Sequence, residues 1–276
     1  MASKDDYVFT RDILDNSRLN LMHKHWVKDL GYLIHPRIST KQENLRIADI
    51  GTGTAIWLLD TYDELPKSAR FDGLDISLEA APPLNVLPPN ITLTKWNVKD
   101  PVPEDLLGVF DIIHIRFFIF VLLGEEVPVV VEKFVAMLRG YLQWVDSDNR
   151  SVRTERPKPG GQPENVDEVQ TNNLDQLMSL LKSQDPRLNP TWVPELPDIF
   201  SRGGLVDVET DIHDSPPHLG FLMHECGLIM HELIARKTKN EKMAQEVKRL
   251  LPLAVEETRQ GAYLTSTKFC VTGRKP

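Results

Sequence analysis
Cysteine is scarce. Cys226 and Cys270 are the only two in 276 residues, too few for a disulfide framework or a four-cysteine zinc site, and they suit a reducing compartment. Long apolar runs are missing as well. The longest, Phe117 to Leu123, falls far short of the roughly 20 residues that span a bilayer. The opening Met1-Ala-Ser-Lys-Asp-Asp-Tyr7 is polar and acidic, without the apolar stretch of a signal peptide. Positive charge is in deficit, with 32 Lys and Arg against 40 Asp and Glu, a formal net charge of −8. Such a chain has no general attraction for phosphate backbones or anionic membranes. These absences lead us to expect a soluble, cytoplasmic protein with no nucleic-acid or membrane partner. What is present, 41% hydrophobic and 26% charged residues, is ordinary globular composition, and the length allows a sizeable core.

Periodicity organises the chain. Leu14, Leu19, Met22, Trp26, Leu30 and Leu33 recur at mostly helical spacing until Gly31 and Pro36 break the pattern. Short β-branched runs follow at 45–50, 71–76, 91–96, 110–115 and 141–145, with helical patterns at 57–65 and 127–138. Strands alternating with helices indicate βαβ units and a mostly parallel sheet. The composition turns to Arg, Pro, Gly and Ser over 146–167, which reads as a loop. Helical patterns return at 174–181, 218–235 and 241–250. Leu205 to Ile212 and Lys268 to Thr272 read as strands that could pair as a terminal antiparallel hairpin with helices between them. We divide one domain over 1–276 into a helical cap (1–40), a cofactor-binding core (45–146), a loop (146–167) and substrate-side helices with the hairpin (168–276).

The informative stretch is Ile47-Ala-Asp-Ile-Gly51-Thr-Gly53-Thr-Ala55-Ile-Trp57. A buried strand runs into Gly-x-Gly and a helix follows. Glycine lets a ligand approach the backbone, and the helix N-terminus favours it electrostatically. Asp49 precedes the glycines, and Asp75 ends the next strand, where a carboxylate can accept ribose hydroxyls. A nicotinamide cofactor would want glycine at position 56, which is Ile56. The remaining cofactor class is S-adenosylmethionine (SAM).

Asp49 to Asp60 resembles the SAM-binding motif of class I methyltransferases. More narrowly, it resembles fungal secondary-metabolite methyltransferases such as the N-methyltransferases of gliotoxin-type clusters. Arg18 to Trp26, Gly31 to Pro36, Phe71 to Ser77, Phe110 to Arg116 and Gly140 to Trp144 agree in order and interval. The resemblance implies an α/β, Rossmann-like seven-stranded sheet, mostly parallel, with helices on both faces and extra N- and C-terminal helices. It implies methyl transfer from SAM to a nitrogen or oxygen of a small natural product. The alternatives are a methyltransferase-like regulator or scaffold without methyl transfer, or a SAM-dependent cyclase. It further implies that Asp49, Gly51, Thr52 and Gly53 form the cofactor loop, with both glycines beneath the methionine part. Asp75 would hold the ribose, Ile76 would pack on adenine, and Asn97 and Val98 would meet its edge. Arg116 and His114 would face the methyl group, His114 as a candidate proton acceptor beside His218, His224 and His231.

Two departures stand out: Ala55 where the family has glycine, and Met137-Leu-Arg-Gly-Tyr141, two residues shorter than the usual turn. Trp26 and Tyr32 could cap the cofactor site or only pack the first helix. Met223 and Met230 belong to an apolar helix face, in the core or lining a substrate pocket. His224 and His231 share that face, seven residues apart, but lie in no zinc motif, and no metal is expected.

Overall fold
The protein's structure is a computed structural model that describes residues 9–156, 173–183 and 185–276. Helix α1 (Ile13–Leu30) starts at Asp12, whose carboxylate accepts the amides of Leu14 and Asp15, and stops at the left-handed Gly31. Strand β1 (Arg46–Ile50) is buried on both faces. Its Ile47 joins a cluster with Trp57 and Leu58 of α2 (Ile56–Glu64). Ala48 and Ile50 join another with Phe134 of α3 (Val127–Met137) and Phe200 of α5 (Leu196–Arg202). Ile112 and Ile113 of β4 (Phe110–Arg116) divide the same way, as the two-residue period of a strand between helical layers requires.

The remaining strands are β2 (Arg70–Asp75), β3 (Ile91–Lys95), β5 (Leu138–Ser147), β6 (Arg153–Glu155), β7 (Val206–His213), β8 (Tyr263–Thr265) and β9 (Lys268–Arg274). Seven of them form one sheet in the order β3-β2-β1-β4-β5-β9-β7. The first five run parallel, and β9 is antiparallel to β5 and β7. This is the expected seven-stranded sheet with its terminal hairpin. The order reverses between β1 and β4, the place where open α/β sheets receive ligands. Between the hairpin strands lie α6 (Pro217–Lys237) and α7 (Glu241–Arg259), which pack together; α7 also packs on α4 (Asn173–Lys182) and α6 on α1. No helix among the described residues is long and apolar enough to cross a membrane.

The structure departs from the periodicity reading in four places. Strand β5 begins directly after α3, and its pairing steps from Phe110–Leu138 to Ile112–Tyr141. One extra residue on β5 thus absorbs the shortened turn as a bulge. Gly140 is obligatory there, because an added methyl would stand 2.2 Å from the Asp111 carbonyl oxygen. Helix α7 runs past Leu250 to Arg259 despite Pro252. Pro252 faces solvent, so water can satisfy the carbonyl it leaves open. Helix α5 and the small β6–β8 sheet were unforeseen, since seven- and three-residue elements carry too little periodicity. The expected loop at 146–167 therefore contains the end of β5 and all of β6, and its portion from 157 onward lies outside the described residues.

Candidate active site
Strand β1 ends in a loop folded against β2. The amides of Gly51 and Thr52 both donate to the Leu74 carbonyl, at 2.7 and 3.2 Å. Gly51 has φ +70°, and an added methyl would stand 2.2 Å from the Phe118 ring, so no other residue fits that backbone. The Gly53 amide donates to Asp75 Oδ2 at 2.9 Å and the Ser77 amide to Oδ1 at 3.0 Å. Two backbone donors thus aim this carboxylate, and burial raises its pKa. Each oxygen retains a lone pair for a ligand hydroxyl. Ala55 closes the loop at φ 58° and starts α2 with no side-chain cap. Its methyl sits in the left-handed region, a strain of about 1 kcal/mol.

Next to the loop, Asp49 Oδ1 lies 2.7 Å from His114 Nδ1. The His114 ring stacks on Trp57 at 3.8 Å and 2°. Burial lowers the His114 pKa against the pull of Asp49; since a carboxylate only accepts, Nδ1–H is the donor in this bond. Arg116 donates to His23 Nδ1, and His23 Nε2 bonds Asp60 Oδ2 at 2.8 Å. Burial, then Arg116, pushes the His23 pKa down to about 4. This chain, with Thr54 Oγ1 donating to Asn20 Oδ1 at 2.7 Å, fastens α1 across the strand ends. Sequence reasoning missed it, because nothing in the spacing links His23 to Arg116.

All ten site residues expected from sequence (Asp49, Gly51, Thr52, Gly53, Asp75, Ile76, Asn97, Val98, His114 and Arg116) line one cavity of about 220 Å³. Asn16 Oδ1, Thr52 Oγ1 and Arg116 Nε, from residues lining the same cavity, are buried without hydrogen-bond partners among the described residues.

A second cavity of about 190 Å³ adjoins it and shares the wall of Leu19, Phe117, Phe120 and Val121. Phe117 holds φ +60°, a costly backbone for a bulky residue, at this shared wall. Met22, Met178, Met223 and Met230 line the second cavity together with Trp26, Asp146, His224 and His231. Both readings of the methionine face hold in part: Met223 and Met230 line this cavity and also pack, half-buried, against core clusters. Trp26 lines this cavity and not the first. Tyr32 lines neither; its hydroxyl donates to Asp211 Oδ2 at 2.9 Å. His218 is exposed and touches neither cavity. Asp146 was not singled out from sequence: an aspartate ending a strand gives no signal that its side chain turns inward.

No protein-family model matches the chain. Among curated proteins it is 39% identical over 114 residues to the N-methyltransferase tcpN of Claviceps purpurea, covering 41% of this chain and 40% of that protein. It is 33% identical over 147 residues to the methyltransferase grgD of a Penicillium species, covering 50% of each. A third likeness, 28% over 113 residues, is to the secondary metabolism regulator LAE1 of Hypocrea atroviridis, covering 41% of this chain and 32% of the regulator. These matches span half or less of the relatives' lengths. Among solved structures, a phosphoethanolamine N-methyltransferase 2 of Haemonchus contortus superposes with a TM-score of 0.55 at 12% identity, covering 99% of this chain and 59% of that one. In fold, and in sequence over about half its length, the chain resembles class I SAM-dependent methyltransferases. Within that class its curated likenesses include several fungal N-methyltransferases.

Proposed function
We propose that the protein transfers a methyl group from SAM to a nitrogen or oxygen of a small-molecule secondary metabolite. One observation carries the reading: the residues expected to hold SAM converge on a single cavity, which shares a wall with a second, mainly apolar one. The first cavity suits the cofactor on its own terms. Gly53, where an added methyl would meet nothing nearer than 3.9 Å, leaves open space beside the backbone, Asp75 keeps free lone pairs, and Thr52 and Asn16 carry oxygens without a hydrogen-bond partner among the described residues. Asp75 would accept the ribose hydroxyls, Ile76 and Val98 would flank adenine, and Asn97 would meet its edge. Thr52 and the glycine backbone would run beneath the methionine portion.

When bound, SAM supplies a methyl already activated on a sulfonium. The chain then need provide only alignment, exclusion of water and a place for the acceptor's proton. His114 is engaged by Asp49 and Trp57, so we assign it to positioning Asp49. The proton falls instead to Asp146. Its Oδ2 accepts from Phe118 N and Trp144 Nε1 at 2.9 and 3.0 Å, its Oδ1 has no partner among the described residues, and burial raises its pKa to about 7. A carboxylate poised near neutrality is suited to this task. We place the reaction in the cytoplasm, supported by two buried, unpaired cysteines.

Calorimetry with S-adenosylhomocysteine tests the reading. Binding in the micromolar range is expected, and none at high micromolar concentration would overturn it. The likeness to LAE1 and the strained Ala55 favour a second reading, a regulator that keeps the fold without turnover. Cofactor binding combined with a stable protein partner, and no labelled methyl passing to metabolite extracts, would decide for it.

A further inference from the structure
Nine buried side-chain polar atoms lack a partner among the described residues, and four of them belong to residues lining the second cavity: Trp26 Nε1, Asp146 Oδ1, His224 Nδ1 and His231 Nε2. Such atoms are rare in native interiors and call for an explanation. The hydrogen bonds around the two histidines fix what each offers. His231 Nδ1 lies 2.8 Å from the Gly227 carbonyl oxygen. A carbonyl only accepts, so Nδ1 carries the proton and Nε2 bears a lone pair. His224 Nε2 lies 2.9 Å from Thr258 Oγ1, whose own proton goes to the Ala254 carbonyl at 2.9 Å. The hydroxyl must accept there, which leaves the lone pair of His224 on Nδ1. Burial pushes both pKa values down to about 4, in keeping with uncharged rings at neutral pH.

The cations near this cavity are already engaged. Arg18 is held by Asp15 at 2.6 Å, and Lys268 by Asp29 and Ser215. An anionic ligand would therefore find no free counter-ion on these two side chains. Methionines from α1, α4 and α6 supply an adaptable apolar surface.

Building on the methyl-transfer reading, we propose that His224 and His231 select the acceptor. The second cavity takes an uncharged, mainly apolar ring compound that donates N–H or O–H bonds to His224 Nδ1 and His231 Nε2. Two helical turns, roughly 10 Å, separate the two residues along α6, so the donors belong at opposite ends of the molecule.

A matched pair of probes tests this on the full chain saturated with S-adenosylhomocysteine: 2,6-dihydroxynaphthalene, with a donor at each end, and its dimethyl ether, with none. Calorimetry is expected to give at least a tenfold preference for the diol, narrowed several-fold by His231→Phe or His224→Phe. Equal binding of the two probes would overturn the inference. Nitrogen-15 spectra of histidine-labelled wild-type protein need no variant. The inference requires Nδ1–H on His231 and Nε2–H on His224, with the unprotonated nitrogens shifted by the diol; the opposite tautomers would refute it. If S-adenosylhomocysteine fails to bind while the diol preference persists, the methyl-transfer reading falls and the cavity's donor selectivity stands. Cofactor binding without the preference sinks the selectivity alone.

Discussion
The two adjoining cavities are built from different materials. The first is set by main chain: amides of Gly51 and Thr52 tied to Leu74, and Asp75 aimed by the amides of Gly53 and Ser77. The second is set by long side chains from α1, α4 and α6, four methionines among them. A main-chain wall holds one shape, because moving it means breaking strand and loop bonds. A methionine wall can re-form around different ring systems at small cost. The contrast matches an enzyme with a fixed donor and a variable acceptor, and it identifies the half in which relatives would diverge.

Substitutions can break this contrast from either side. Gly51→Ala should have the largest effect. With a methyl 2.2 Å from Phe118 at φ +70°, about 2–3 kcal/mol of stability should be lost in urea titration. Cofactor affinity should fall at least tenfold with it. Asp75→Ala comes next. S-adenosylhomocysteine should bind about 10- to 100-fold more weakly, as when a bond to a charged group is lost, while diol binding in the second cavity stays unchanged. Loss of both would show that the cavities are not separable.

The third expectation concerns pH. His224 and His231, held near a pKa of about 4, take up fewer protons folded than unfolded between about 4 and 6.5. Stability should therefore rise with pH across that window. Asp146, raised to about 7, binds its proton more tightly when folded and opposes the rise. Urea midpoints at about pH 4.5 and 6.5 should show a steeper rise in Asp146→Asn and a flatter one in His231→Phe. The smallest effect is a gain. Ala55→Gly should relieve the left-handed methyl and add about 1 kcal/mol, less the entropy that glycine brings to the unfolded chain.

How far each cavity could be read in the sequence follows from the same contrast. The first was legible residue by residue, because strand, Gly-x-Gly and helix are contiguous and the carboxylate falls at the end of the next strand. The second was legible only as a spacing. Met223, His224, Met230 and His231 evidently share a helix face, yet nothing local says that α1 and the end of β5 cover it. In the sequence Gly140 reads only as part of a shortened turn. Its role emerges only from the 2.2 Å approach to Asp111 across the bulge, a contact between residues 29 positions apart. The strands of the main sheet were within reach because each is a run of five residues or more; three-residue β6 and β8 are not.

Leu19 projects from α1 into the boundary of both cavities, and α1 is pinned to the strand ends through Thr54–Asn20 and Arg116–His23–Asp60. A roof shared in this way makes the chambers thermodynamic neighbours. Whatever factor an occupant of one imposes on the affinity of the other must be returned in equal measure. Titrating each ligand in the presence of the other would therefore yield a single coupling constant, and its sign would reveal whether the helix settles or lifts as the chambers fill.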